Sequence, residues 1–149
     1  MKTNRSIAST FLAFNGLLLI GLGLYFVFIR PPLLPEDPRF MGTSSVEIQA
    51  TIPGLLIWLR RVFWVMGGFM FATGLLITYI AAVVLPHFPR SARAAVTLAS
   101  LTSMGWMAVV NFMIDSDFKW LLLGFNLPWI LALILSQREQ ALLPHESSV

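Results

Sequence analysis

Asn111 and Asp115 stand four residues apart, with Asp117 and Lys119 just beyond them. On a helix that spacing puts Asn111 and Asp115 on one face. An amide, two carboxylates and an ammonium so close together suit a ligand or a lipid headgroup. Arg60 and Arg61 fall at the same expected membrane level and would add two cations to such a pocket. The plainer expectation for the same residues is a helix-end network with interfacial anchors.

Other chemistry finds little support. His87 and His145 are the only histidines, one in a loop and one in a tail, whereas a bis-histidine haem needs both inside the spans. No paired histidines or carboxylates recur at metal-ligand spacing on a helix. Cysteine is absent, which excludes disulfides, thiolate metal sites and a cysteine nucleophile. Neither a phosphate-binding glycine loop nor a nucleophile elbow occurs. Glu36 and Asp37 are adjacent in a proline-rich loop and read as a solvated turn. The expectation is a protein that is not an enzyme and has no cofactor.

The elements that must position these residues are apolar. Hydrophobic residues make up 57% of the 149-residue chain and charged residues 11%, against about 25% charged in an ordinary globular domain. Four apolar stretches, at about residues 7–29, 62–85, 93–114 and 118–136, account for most of its length. Each approaches the roughly 20 residues that a helix needs to cross the hydrocarbon core. The first is too long for a signal peptide and does not end in small residues, so it is expected to stay as a span. The net charge of +3 is spread singly or in pairs at span ends, without a basic stripe, which argues against nucleic acid as a partner.

The reading is therefore all-α: a single four-transmembrane-helix bundle, with a loop or cap at 30–61, a short interfacial helix within it, and a polar tail at 137–149. Arg30-Pro31-Pro32 stops span 1. Ser44, with Glu47 three residues on, has capping-box spacing. Val46, Ile48, Ile52, Leu55, Leu56 and Leu59 then recur at helical spacing, interrupted by Pro53-Gly54, and read best as a helix on the membrane surface. The alternative is that Pro53 opens a helix running into span 2. Gly68–Ala72 and Gly74–Thr78–Ala82 in span 2, and Ala95–Ala99–Ser103 in span 3, form small-residue lines for close packing. Ser91 and Asp117 are the expected N-caps of spans 3 and 4. Asp115-Ser116-Asp117 makes spans 3 and 4 a tight antiparallel hairpin. Pro128 is expected to kink span 4. Asn15 is a polar group at membrane depth, and Trp106 and Trp129 are expected to face the interior.

With both termini on one side, that side holds Lys2, Arg5, Arg90, Arg93 and Arg138, and the other holds Arg30, Arg39, Arg60, Arg61 and Lys119. This tie is broken by the charged N-terminus beside span 1, which points to cytoplasmic termini. Tyr25, Trp58, Trp64 and Trp120 would form an aromatic belt at the opposite interface.

The segments Arg30-Pro31-Pro32-Leu33-Leu34-Pro35-Glu36-Asp37, Trp58-Leu59-Arg60-Arg61-Val62-Phe63 and Asp115-Ser116-Asp117-Phe118-Lys119-Trp120 resemble those of uncharacterised bacterial inner-membrane proteins with four spans. That resemblance implies an inner-membrane location and no particular activity. The functional expectation is a membrane protein that packs with a protein partner or a second copy, or binds membrane lipids through its cap. A small-solute transporter or channel component acting as an oligomer is the alternative.

Overall fold

The computed structural model describes residues 6–87 and 89–141, the side chains of residues 89, 140 and 141 excepted. Lys2, Arg5, His145 and the tail beyond residue 141 lie outside the described residues. Among the described residues the chain is helical, with no strand. Four helices are long and apolar enough to cross a membrane: Ile7–Phe28, Pro53–Val84, Arg90–Met113 and Lys119–Glu139.

Helix α1 (Ile7–Phe28) starts at Ser6, whose hydroxyl accepts from the Ser9 amide at 3.1 Å. Two short helices, α2 (Glu36–Met41) and α3 (Ser45–Thr51), build the cap. Ser44 caps α3 by accepting from the Glu47 amide at 3.1 Å. The Glu47 carboxylate accepts from the Thr43 hydroxyl instead of closing the box onto Ser44. Helix α4 (Pro53–Tyr79) begins with Pro53, where a missing amide hydrogen costs nothing. It continues through a π-helical turn at Ile80–Val84. The resulting 32-residue helix is about 48 Å long, well beyond the roughly 30 Å of hydrocarbon.

Span 3 is α5 (Pro89–Ser100), a second π turn (Leu101–Gly105) and α6 (Trp106–Met113). Its helix starts before Ser91, which therefore lies within the first turn and does not cap it. Span 4 is broken into α7 (Lys119–Gly124) and α8 (Leu127–Ala141). Pro128 thus accompanies an interruption at Phe125–Asn126, a stronger effect than a kink. The C-terminal helix passes residue 136, because Gln137, Arg138, Glu139 and Gln140 are good helix formers. The helix thus runs into the segment expected as a polar tail, whose residues beyond 141 lie outside the described residues.

Helices α1 and α4 pack along most of their length, and α8 also lies against α1. Gly16 faces Gly74, and Gly23 faces Gly67, each pair seven residues further along its antiparallel partner. A Cβ on Gly23 would lie 2.7 Å from the Gly67 carbonyl oxygen, and one on Gly67 2.7 Å from that of Gly23. Only backbones without side chains can approach so closely. Near the terminal end of the pair, the Ser9 hydroxyl donates to the Ala81 carbonyl at 2.7 Å. Of the expected span 2 line, Gly74 and Thr78 are in this seam, whereas Gly68, Ala72 and Ala82 are exposed. In span 3 the buried stripe is Ala92, Val96, Ser100 and Met104, one residue on from Ala95, Ala99 and Ser103.

Candidate functional site

The bonded part of the cap is built by α2, the end of α1, the stretch of α4 at Phe63 and the turn joining α6 to α7. That turn closes as a Schellman motif. The Asp115 amide donates to the Phe112 carbonyl at 3.2 Å, and the Ser116 amide donates to the Asn111 carbonyl at 2.9 Å. Asp115 sits at φ 52, the left-handed conformation this motif needs and that glycine usually supplies. Gly42, at φ 70, ends α2 in the same way.

Ser116 and Glu36 tie this turn to the first loop. The Ser116 hydroxyl donates to Glu36 Oε1 at 3.0 Å across 80 residues of sequence. Both residues are buried, Glu36 with 2% and Ser116 with 1% of its surface exposed. The expected solvated turn at Glu36-Asp37 is therefore corrected: α2 turns Glu36 inward. Glu36 Oε2 has no hydrogen-bond partner among the described residues. Beside it, Asp37 accepts from the Leu34 amide at 2.8 Å and lies 3.6 Å from an Arg30 guanidinium nitrogen. Arg30 also lies over the Phe63 ring at 3.5 Å, joining the end of span 1 to the start of span 2. Burial lowers the pKa of Arg30, and Asp37 opposes that shift.

The sequence candidates separate into two groups. Asp115 and Lys119 form an ion pair, and Asp117 pairs with Arg39 at 2.9 Å. Arg39 also donates to the Asp115 carbonyl at 3.0 Å, so it fastens α2 to the same turn that Glu36 holds. Lys119 holds the Asp115 carboxyl below its ordinary pKa, through their hydrogen bond and then its charge. Asp117 raises the pKa of Arg39, mainly through their hydrogen bond. Asp117 is not the cap of span 4, because its carboxylate is committed to Arg39. Instead the Phe118 amide donates to the Ser116 hydroxyl at 3.2 Å.

Asn111 does not join this group through its side chain, which donates to the Met107 carbonyl of its own helix at 2.9 Å. Arg60 and Arg61 are exposed on α4. Arg61 lies 4.5 Å from the Trp64 ring centre, and neither arginine is in an ion pair among the described residues. The expected single pocket is therefore two arrangements: an internally paired strap and a separate pair of arginines flanked by Trp58 and Trp64. Trp58, Trp64 and Trp120 are exposed.

Sequence reasoning missed Arg30, Glu36, Arg39 and Ser116, whose roles depend on distant partners. It also passed over Asn126, at the break in span 4. Asn126 is 5% exposed and donates to the Leu122 carbonyl at 2.9 Å and the Met104 carbonyl at 3.4 Å. Its own carbonyl oxygen accepts from the Trp129 indole at 3.0 Å. An asparagine in a span two residues before a proline was the available signal. Trp129 faces inward as expected, but Trp106 is 64% exposed and faces out, because it follows the π turn.

Comparison of the chain with family models, curated proteins and solved structures gave no match. The resemblance to four-span bacterial proteins therefore rests on the segments quoted above.

Proposed function

We propose that this is a non-enzymatic, multi-pass protein of a bacterial inner membrane that binds anionic lipid headgroups at its cap through Arg60 and Arg61. The observation that carries this reading is the charge pairing of the cap. Arg30, Arg39 and Lys119 each have a carboxylate partner, while Arg60 and Arg61 have none among the described residues. Arg61 is 23 residues from Val84, so it stands about 35 Å along the helix, just past the hydrocarbon and at headgroup level. The aromatic rings of Trp58 and Trp64 beside the arginines suit that same zone. In this reading the four spans pack as a bundle, α3 lies at the interface with Val46 and Ile52 towards lipid, and both termini are cytoplasmic.

Basic residues near an anionic surface contribute about 1 kcal/mol each. Replacing both Arg60 and Arg61 by glutamine should therefore weaken anionic-lipid binding by about 2 kcal/mol, or roughly 30-fold. Lipid competition in nanodiscs, anionic against zwitterionic, measures this directly. An unchanged preference in the double variant sinks the proposal.

A further inference from the structure

Spans 3 and 4 are joined by a short turn, yet their arms do not close on one another. A cleft of about 800 Å³ lies between them. Its floor is Ala108, Asn126 and Trp129, each less than 10% exposed, and its rim includes Trp106, Val109 and Met113, each well exposed. The cleft therefore opens sideways, at the depth of the lipid chains. Its cause is local: the π turn and the break in span 4 sit opposite one another, bridged by Asn126 to Met104. Small residues then follow on span 3. A Cβ on Gly105 would have no neighbour nearer than 3.6 Å.

We infer that this cleft holds one acyl chain of a membrane phospholipid, drawn from the leaflet on the cap side. Three properties select that occupant. Asn126 is the one polar side chain apart from the two indoles, and its amide is already bonded to Met104, Leu122 and Trp129. A ligand with a polar group at that depth, such as a quinone ring, would find no free donor on Asn126 or Trp129. From Leu101 to Met113 the cleft rises about 18 Å, close to one leaflet's half of a hydrocarbon core roughly 30 Å thick. At the cap end, Trp120 packs edge-on against Phe112 at 5.0 Å, placing an interfacial ring where the glycerol and headgroup would emerge.

The test is native mass spectrometry of protein released gently from its own membranes, with Ala108→Phe as the variant that fills the floor. One phospholipid should stay with each wild-type chain, and the variant should lose it while keeping any preference for anionic lipid that Arg60 and Arg61 confer. The two sites share no residue, so each proposal fails separately. Because Ala108→Phe can also disturb folding, a second measurement uses a chain whose other tryptophans are replaced by phenylalanine. Brominated acyl chains should quench Trp129, which is 7% exposed and lines the floor of the cleft. A chain released without lipid, a retained lipid unaffected by Ala108→Phe in a folded variant, an unquenched Trp129, a stable dimer or a bound quinone would each overturn the inference.

Discussion

Gly16 and Gly74 meet backbone to backbone. A Cβ on Gly16 would lie 2.8 Å from the Gly74 carbonyl oxygen, and one on Gly74 would lie 2.6 Å from that of Gly16. Since the obstacle on each side is backbone, it cannot turn aside as a side chain would. Gly16→Ala and Gly74→Ala are each expected to destabilise the protein by about 1–3 kcal/mol, the usual range for overpacking. Gly21→Ala and Gly68→Ala, which meet nothing within 4 Å, should not destabilise it. Unfolding in mixed detergent compares the four, and equal losses would show that the seam is not the cause.

Ser116→Ala removes the only hydrogen bond to the Glu36 carboxyl group among the described residues and should cost about 1–3 kcal/mol. Replacing both partners, Glu36→Leu with Ser116→Ala, should recover the part of that loss due to the buried carboxylate, while the Phe118 amide still lacks the Ser116 hydroxyl. A double-mutant cycle on thermal stability checks this. Strict additivity of the two changes would mean that the strap does not couple them.

Acid should weaken the Asp115–Lys119 pair of the turn. The folded-state pKa of Asp115 is lowered by Lys119, so the pair's contribution is complete above the ordinary Asp value of about 4. It is lost as pH falls through the lowered value. The pair is exposed, so the effect is small and weakens with salt. The stability difference between wild type and Asp115→Asn should stay constant from neutral pH to about 4 and shrink below it. A difference that instead vanished between pH 7 and pH 5 would contradict the assignment.

Asn15 is fully buried in span 1, and neither its amide nitrogen nor its oxygen has a partner among the described residues. Leucine has the same branching and number of side-chain heavy atoms, and no polar atoms to leave unpaired. Asn15→Leu should raise stability by about 1–3 kcal/mol. A lower melting temperature for the folded variant would show that the amide is held by something it binds.

The span count was readable from the sequence because a bilayer imposes a local requirement: enough consecutive apolar residues to match its thickness. Pro53 at a helix start and Ser44 as a cap were readable for the same reason, since both act within one turn. The packing face was not. Gly67 and Gly68 are alike in a chain that is apolar all round, and the seam takes Gly67 only because α1 approaches from that side. Glu36 looked like a loop residue until Ser116 came to meet it from 80 positions away. Asp117 looked like a helix cap until Arg39 claimed its carboxylate. The cleft beside Asn126 likewise exists only once two irregular turns from different spans are placed opposite each other. Local sequence settled which segments enter the membrane. Tertiary structure decided which polar groups find partners there, because each pairing depends on residues that only folding brings together.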